Sequence, residues 1–135
     1  MNASRIDTAL IVHPDLPRRQ GLRNQLRRQG IVRVYEAEDA AGGATLARQE
    51  RVDVVFIPWS VGNLAGPELF AVLRARRRKA APAIVVLDDG LSQATLVAAV
   101  KAGAQARLPL PATRESVARV LAALAQAEGD ARQSA

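Results

Sequence analysis

The chain has 135 residues, no cysteine, one histidine and a formal net charge of +6. A chain of this length forms one domain with a substantial core, and its composition excludes disulfides, thiolate metal sites and multi-histidine metal sites. No apolar run approaches the about 18 residues that a membrane helix needs, and residues 1–7 lack the apolar core of a signal peptide. We therefore expect a cytoplasmic protein that does not bind a membrane.

Short apolar runs alternate with helix-like stretches along the chain. The runs that predict strands are, in chain order, 8–12, 31–35, 52–57, 82–87 and 105–108. Such continuous runs are typical of strands that are buried on both faces. The predicted helices follow the strands in turn and start near Pro17, Asp39, Gly66, Ser92 and Thr113, where a proline or a capping side chain suits the first turn.

This alternation predicts a parallel sheet that is covered on both faces. Right-handed crossovers then favour a flavodoxin-like (βα)5 fold, a three-layer α/β sandwich whose five strands have the order 2-1-3-4-5. We expect residues 1–127 to form this domain. The apolar spacing fades from residue 128, which predicts a flexible C-terminal tail over 128–135.

Several segments are weak signals alone and become specific when their order and spacing are taken together. They are Leu10-Ile11-Val12 in the first predicted strand, Gly66-Pro67-Glu68-Leu69 at the start of the third helix, and Ala102-Gly103-Ala104 followed by Pro111. In this order they resemble the receiver domain of bacterial response regulators. The resemblance covers residues 6–126 and implies the same flavodoxin-like fold.

Phosphorylation of a receiver domain depends on side chains that this chain lacks. The resemblance assigns the metal-binding acidic pair to His13 and Pro14, the phosphate-accepting aspartate to Pro58, the hydroxyl to Leu87 and the phosphate-pairing lysine to Leu110. Proline has no carboxylate to form an acyl phosphate, and the oxygen ligands for Mg²⁺ are missing from the expected places. The resemblance thus implies a degenerate pseudo-receiver that is not an enzyme and uses no cofactor or metal.

Three other carboxylates near the same sheet edge offer an alternative. Asp15, Asp88 and Asp89 could together hold a divalent ion, but a helix cap and a solvated turn explain them better, because the acceptor position offers no ligand. His13 is either a proton sensor or a hydrogen-bonded strand end. Ligand binding in an emptied pocket near His13 and Trp59 also stays open, as does a receiver that is still phosphorylated.

The leading function is protein–protein interaction that does not depend on phosphorylation. In receiver domains the face formed by the fourth helix, the fifth strand and the fifth helix contacts partners or a second copy, and the aromatic switch position of that face falls on Arg107. The candidate contacts are Lys101, Gln105, Arg107, Arg114 and Arg119. We expect a bacterial signalling protein as the partner, or a homodimer through this face.

A second set of residues, all basic, is gathered by the parallel topology at the amino-terminal edge of the sheet. They are Arg27, Arg28, Arg33, Arg51, Arg76, Arg77, Arg78 and Lys79. A solvated end explains this basic patch better than nucleic acid does, since the sequence has few aromatic side chains for base stacking and no helix-turn-helix pattern. The alternative functions are nucleic-acid binding through this patch, and regulation at the N-terminus of a larger transcriptional or antitermination regulator.

Overall fold

The central feature of the fold is a parallel sheet of five strands. The computed structural model describes residues 6–61, 64–65, 70–71, 73–74 and 81–134. The strands are β1 (Thr8–Val12), β2 (Arg33–Ala37), β3 (Val54–Pro58), β4 (Ser60–Val61), β5 (Leu64–Ala65), β6 (Ala83–Asp88) and β7 (Ala106–Pro109). The sheet order is β2-β1-β3-β6-β7 and every pairing is parallel. Because β4 and β5 form a separate antiparallel pair, this order confirms the predicted 2-1-3-4-5 arrangement.

Four helices with defined bounds occur in the described part of the chain. They are α1 (Leu16–Arg28), α2 (Ala40–Gln49), α3 (Gln93–Ala102) and α4 (Arg114–Ser134). Residues 70–71 and 73–74 are also helical, whereas the rest of the predicted third helix lies outside the described residues. The predicted five βα units are therefore matched in part. Helix α4 continues past residue 127 to Ser134, so residues 128–134 have helical backbone, and the flexibility of this tail stays a prediction.

Each helix begins at a side chain that caps its free N–H groups. The cap residues Asp15, Asp39, Ser92 and Thr113 each accept a hydrogen bond from the backbone N–H three residues later, at 2.7–3.1 Å. A cap of this kind contributes about 1 kcal/mol to stability. The first helix thus starts one residue before the predicted Pro17, because Asp15 provides the cap.

Several strands begin one or two residues later than the apolar runs suggested. Ile31 is buried, yet its N–H donates to Leu26 O at the end of α1 and it lies outside the ladder. Strand β2 begins at Arg33, where the parallel register with Thr8 of β1 starts. The apolar run 31–35 therefore combines a residue that is buried against a helix with residues that pair in a strand. The hairpin of β4 and β5 was not predicted from the sequence.

Two apolar layers cover the sheet, one on each face. On one face, side chains of β1 and β3 such as Leu10 and Ile57 pack with α2 and α3. On the other face, neighbouring side chains such as Ile11 and Phe56 pack with α1 and α4. Alternation of side chains along buried strands produces this two-sided core, and the predicted α/β sandwich is confirmed. In the described ranges, no helix has the length and apolarity needed to cross a membrane.

Two helical glycines provide a test of how closely the helices pack. A Cβ added to Gly43 in α2 would lie 2.8 Å from Val12 Cγ2, while a Cβ at Gly21 in α1 would meet no atom within 4 Å. We predict that Gly21→Ala stabilises the protein by about 0.5–1 kcal/mol through helix propensity. Gly43→Ala should instead destabilise it by about 1–2 kcal/mol, because stiff, buried Val12 must move.

Urea unfolding of both variants beside the wild type measures this difference. Equal stabilisation by the two substitutions would show that α2 has room above β1, and would contradict the packing described.

Candidate functional site

The positions to which the resemblance assigned phosphorylation chemistry meet at the carboxyl edge of the sheet. We use this term for the end at which the parallel strands finish. His13 directly follows β1, Pro58 ends β3, and Leu110 directly follows β7. Leu87 of β6 lies beside Pro58 in the strand register. The topology therefore brings these residues to one edge, as expected from the sequence.

Apolar side chains fill the centre of this edge. Leu87 is 3% exposed and belongs to the core on the α1 and α4 face, and the partly buried Leu110 packs against the same core. Trp59 packs edge-to-face on buried Phe70, with ring centroids 5.6 Å apart. Both Trp59 and Leu87 thus serve the core, which weakens the hypothesis of an emptied pocket for a ligand.

The carboxylates near this edge already have partners. Asp88 Oδ1 accepts hydrogen bonds from the N–H groups of Gly90 and Leu91 at 3.0 and 2.7 Å. Its other oxygen accepts from Arg107 Nη1 at 3.1 Å. The structure therefore gives Asp88 the role of closing the turn after β6 and joining it to β7.

A single arginine connects the two remaining carboxylates. Arg18, in the first turn of α1, lies 3.3 Å from Asp89 and 4.0 Å from Asp15. Asp15 follows β1 and Asp89 follows β6, and these strands lie on either side of β3. The guanidinium therefore links two turns that flank the end of β3, where Pro58 lies.

This donor set does not fit Mg²⁺. A hard cation requires several oxygen ligands within about 2.0–2.6 Å, yet the described residues contain no group of three or more side chains that could hold a metal ion. Asp15 is used as a helix cap, Asp88 as a turn closure and Asp89 as an arginine partner. We derive no metal-dependent step for this site.

A further ion-pair network, not anticipated from the sequence, extends the edge toward β2. Glu36 binds Arg19 and Arg23 with its two oxygens, at 3.1 and 2.9 Å. The Arg19 side chain is only 13% exposed, and its Nη1 also donates to His13 O. The i, i+4 spacing of the two arginines on α1 was the available signal, but only the fold shows that a glutamate of β2 faces them.

His13 is held in the neutral form by its surroundings. Its Nδ1 accepts a hydrogen bond from the Asp15 N–H at 3.0 Å, which requires an unprotonated nitrogen. Burial, followed by the positive charge of Arg18, lowers the pKa of His13 below its ordinary value of 6.5. The geometry agrees with the interpretation of a hydrogen-bonded strand end.

The predicted partner contacts divide into two groups. Gln105 Oε1 accepts a hydrogen bond from the Ile84 N–H at 3.1 Å, and Arg107 pairs with Asp88, so both have structural partners. Three exposed cations of the set make no ion pair within the described residues, namely Lys101, Arg114 and Arg119. On α3, the apolar side chains of Val97 and Val100 are 44% and 66% exposed.

The basic patch lies at the opposite end of the sheet, which we call the amino edge. Arg27 and Arg28 are in the last turn of α1, Arg33 begins β2, and Arg51 precedes β3. All four are exposed. The remaining members of the predicted patch, residues 76–79, lie outside the described residues.

Asp88 and Arg107 allow the contributions of the turn and of the ion pair to be separated. We predict that Asp88→Ala destabilises the protein by about 1–2 kcal/mol, because two backbone N–H groups lose their acceptor. Arg107→Ala should cost less than about 1 kcal/mol, since the arginine is half-exposed and solvent screens the pair. Chemical denaturation measures both values, and a larger loss from Arg107→Ala would contradict the assignment of Asp88 to the turn.

His13 predicts a pH dependence of stability with a defined sign. Because the pKa of His13 is lowered in the folded state, its contribution is present above 6.5 and is lost as the pH falls through 6.5 toward the folded-state pKa. Asp15 and Asp89 act against the shift, and Arg19 adds to it. The melting temperature should therefore decrease from about pH 7.5 to about 5.5, and less so in His13→Gln. Parallel profiles for the two proteins would contradict this role.

The likeness to known structures agrees with the geometry. The chemotaxis response regulator CheY4 of Vibrio cholerae has a TM-score of 0.75 and 21% identity, over 86% of this chain and 96% of that chain. A CheY-like receiver domain protein of Methanospirillum hungatei JF-1 has a TM-score of 0.79 and 18% identity, over 93% and 98%. A LuxR-family two-component response regulator of Aurantimonas sp. SI85-9A1 has a TM-score of 0.77 and 20% identity, over 89% and 85%. At these identities the likeness shows the fold.

The family is shown by the sequence itself. No curated protein matches this chain. A family model of the response regulator receiver domain matches residues 9–122, which is most of the chain. The chain therefore belongs to the response regulator receiver domain family.

Proposed function

We propose that this receiver domain is a phosphorylation-independent protein-interaction module of bacterial two-component-type signalling, and not an enzyme. The observation that carries the proposal is Pro58 at the end of β3, the position that the family resemblance assigns to the phosphate acceptor. Phosphoryl transfer needs an acceptor oxygen and a cation that neutralises the phosphate oxygens. Pro58 offers neither, and the nearby carboxylates Asp15, Asp88 and Asp89 already have other partners.

Exposed residues on both sides of the edge strand β7 support a role in binding. We define the interaction face by Val97, Val100 and Lys101 of α3 with Arg114 and Arg119 of α4, all of which are exposed. Exposed apolar side chains with charged neighbours are typical of protein contact surfaces. These cations lack ion-pair partners in the described part of the chain, which favours a signalling protein with an acidic surface over a second copy of this chain.

The contacts of Arg107 support the proposal that partner binding does not depend on a phosphorylation switch. A switch side chain must alternate between two positions, one of them buried, and arginine is rarely buried without a partner. Arg107 instead pairs with Asp88, which also closes the turn that leads to α3. In our proposal this pair keeps the interaction face in one conformation.

Affinity capture from the lysate of the host tests the proposal. We expect tagged protein to retain a partner after nuclease treatment, and to lose it in the triple variant K101A/R114A/R119A, since three cations of the face are removed. The matched control R27A/R28A/R51A removes the same charge from the amino edge and should keep this partner. Retention should not change when a small phosphoryl donor and Mg²⁺ are added.

Intact-mass measurement completes the test. The protein treated with the phosphoryl donor should keep its mass, while a phosphorylatable receiver serves as the positive control. A stable gain of one phosphate, or a partner retained only with the donor, would overturn phosphorylation independence. Retention that nuclease abolishes would instead support the nucleic-acid alternative, and a retained second copy of this chain would support the homodimer.

A further inference from the structure

The amino edge carries an excess of exposed positive charge. We define the cationic cap as the exposed basic side chains that the described residues place at this edge, and they are Arg27, Arg28, Arg33, Arg48, Arg51, Arg74 and Lys101. Arg74 is assigned to it because its Nη1 donates to Ala102 O at the end of α3, at 3.2 Å. Asp7, Glu50 and Asp53 are the acidic residues at this edge whose side chains the structure describes, so seven described cations accompany three described acids.

These acids accept hydrogen bonds from other groups of the protein. Asp53 Oδ2 accepts hydrogen bonds from the N–H groups of Asp7 and Thr8 at 2.8 and 3.1 Å. Glu50 accepts one from the Tyr35 hydroxyl at 3.1 Å. None of the seven cations forms an ion pair with a described residue, whereas four arginines elsewhere do. The cap therefore presents its charge to solvent.

Helix ends explain part of this charge. Arg27 and Arg28, Arg48, and Lys101 lie in the last turns of α1, α2 and α3, where cations interact favourably with the helix dipole. Arg33 and Arg51 lie outside the helices, so the helix dipole does not explain their positive charge at this edge.

Val32 adds an observation that helix dipoles do not explain. It lies between the end of α1 and the start of β2, next to Arg33, and it is 74% exposed. Among the described residues it is the most exposed large apolar side chain. An exposed apolar side chain next to an arginine, at an edge that carries further exposed cations, is the pattern of a protein contact in which an apolar anchor is flanked by charge-assisted hydrogen bonds.

We propose that the cationic cap is a second docking surface, specific for an acidic protein segment that also carries an apolar side chain. Nucleic acid fits less well, because a phosphate backbone has no apolar group for Val32. Base stacking also lacks a platform here: Phe56 and Phe70 are fully buried, Trp59 lies at the carboxyl edge, and the partly buried Tyr35 packs against the core. Lys101 belongs to both surfaces, but Val32 and the six arginines of the cap lie outside the interaction face. Two surfaces of this kind would let one domain hold two partners.

Fluorescence anisotropy with synthetic probes tests the proposal on the full chain. The first probe is a short peptide of glutamates with two leucines, the second replaces both leucines by serine, and the third is a single-stranded oligouridylate of equal charge. We expect the leucine peptide to bind most tightly. Val32→Ser should weaken its binding about fivefold, as expected for one partly buried aliphatic side chain, and should leave the serine peptide unaffected.

Charge reversals inside and outside the cationic cap distinguish a defined binding site from nonspecific electrostatic attraction. R28E/R33E should weaken binding of the leucine peptide by at least about tenfold, while R114E/R119E, which changes the net charge equally, should have less than about a twofold effect. If R28E/R33E lowers the melting temperature, R28Q/R33Q replaces it, because neutralising the two charges perturbs the fold less than reversing them. Circular dichroism confirms folding of each variant.

Either of two results would overturn the proposal. Equal losses in R28E/R33E and R114E/R119E would mean nonspecific attraction to a basic protein. Tighter binding of the oligouridylate, with no effect of Val32→Ser, would mean a general polyanion surface. Both results leave the proposed function untouched, because that function is tested by partner capture with K101A/R114A/R119A compared with R27A/R28A/R51A, which changes only residues of the cap.

Discussion

Burial of the parallel sheet on both faces is the constraint from which the rest of this structure follows. Residues of β1 and β3 are almost entirely buried, so each crossover must lay a helix over one face and return to the same starting edge. Every helix then runs from the carboxyl edge toward the amino edge. Loops that follow strands gather at the first edge, and helix ends gather at the second, which determines where the chemistry and the charge of this chain lie.

At the carboxyl edge, ion pairs within the protein join the segments that follow the strands. Arg18 connects the turns after β1 and β6, Arg107 connects β6 to β7, and Arg19 connects α1 to Glu36 of β2. Each exposed pair contributes little stability by itself. Their effect is instead to occupy the carboxylate oxygens and to hold the turns in one arrangement, which supports our proposal that this receiver domain is a binding module.

The two ends of the molecule consequently differ in their surface chemistry. The carboxyl edge has apolar residues at its centre and paired charges around them, so its charge is largely neutralised within the protein. The amino edge has the exposed Val32 and exposed arginines that form no ion pair among the described residues. This distribution supports our proposals of an interaction face and of a cationic cap.

Local pattern in the sequence determined the α/β class and the strand order, and the family resemblance assigned the acceptor position to Pro58, whose side chain has no carboxylate. Those properties depend on periodicity between near neighbours, on general rules for crossovers, and on which atoms a side chain contains. Only the tertiary structure decided which carboxylate each arginine meets, because Arg18 and Asp89, or Arg19 and Glu36, come together through the sheet and not through the chain. It also decided that Val97 and Val100 are exposed and that Ile31 contacts a helix. The apolar character of a residue indicates that it tends to be buried, but the fold decides which surface buries it.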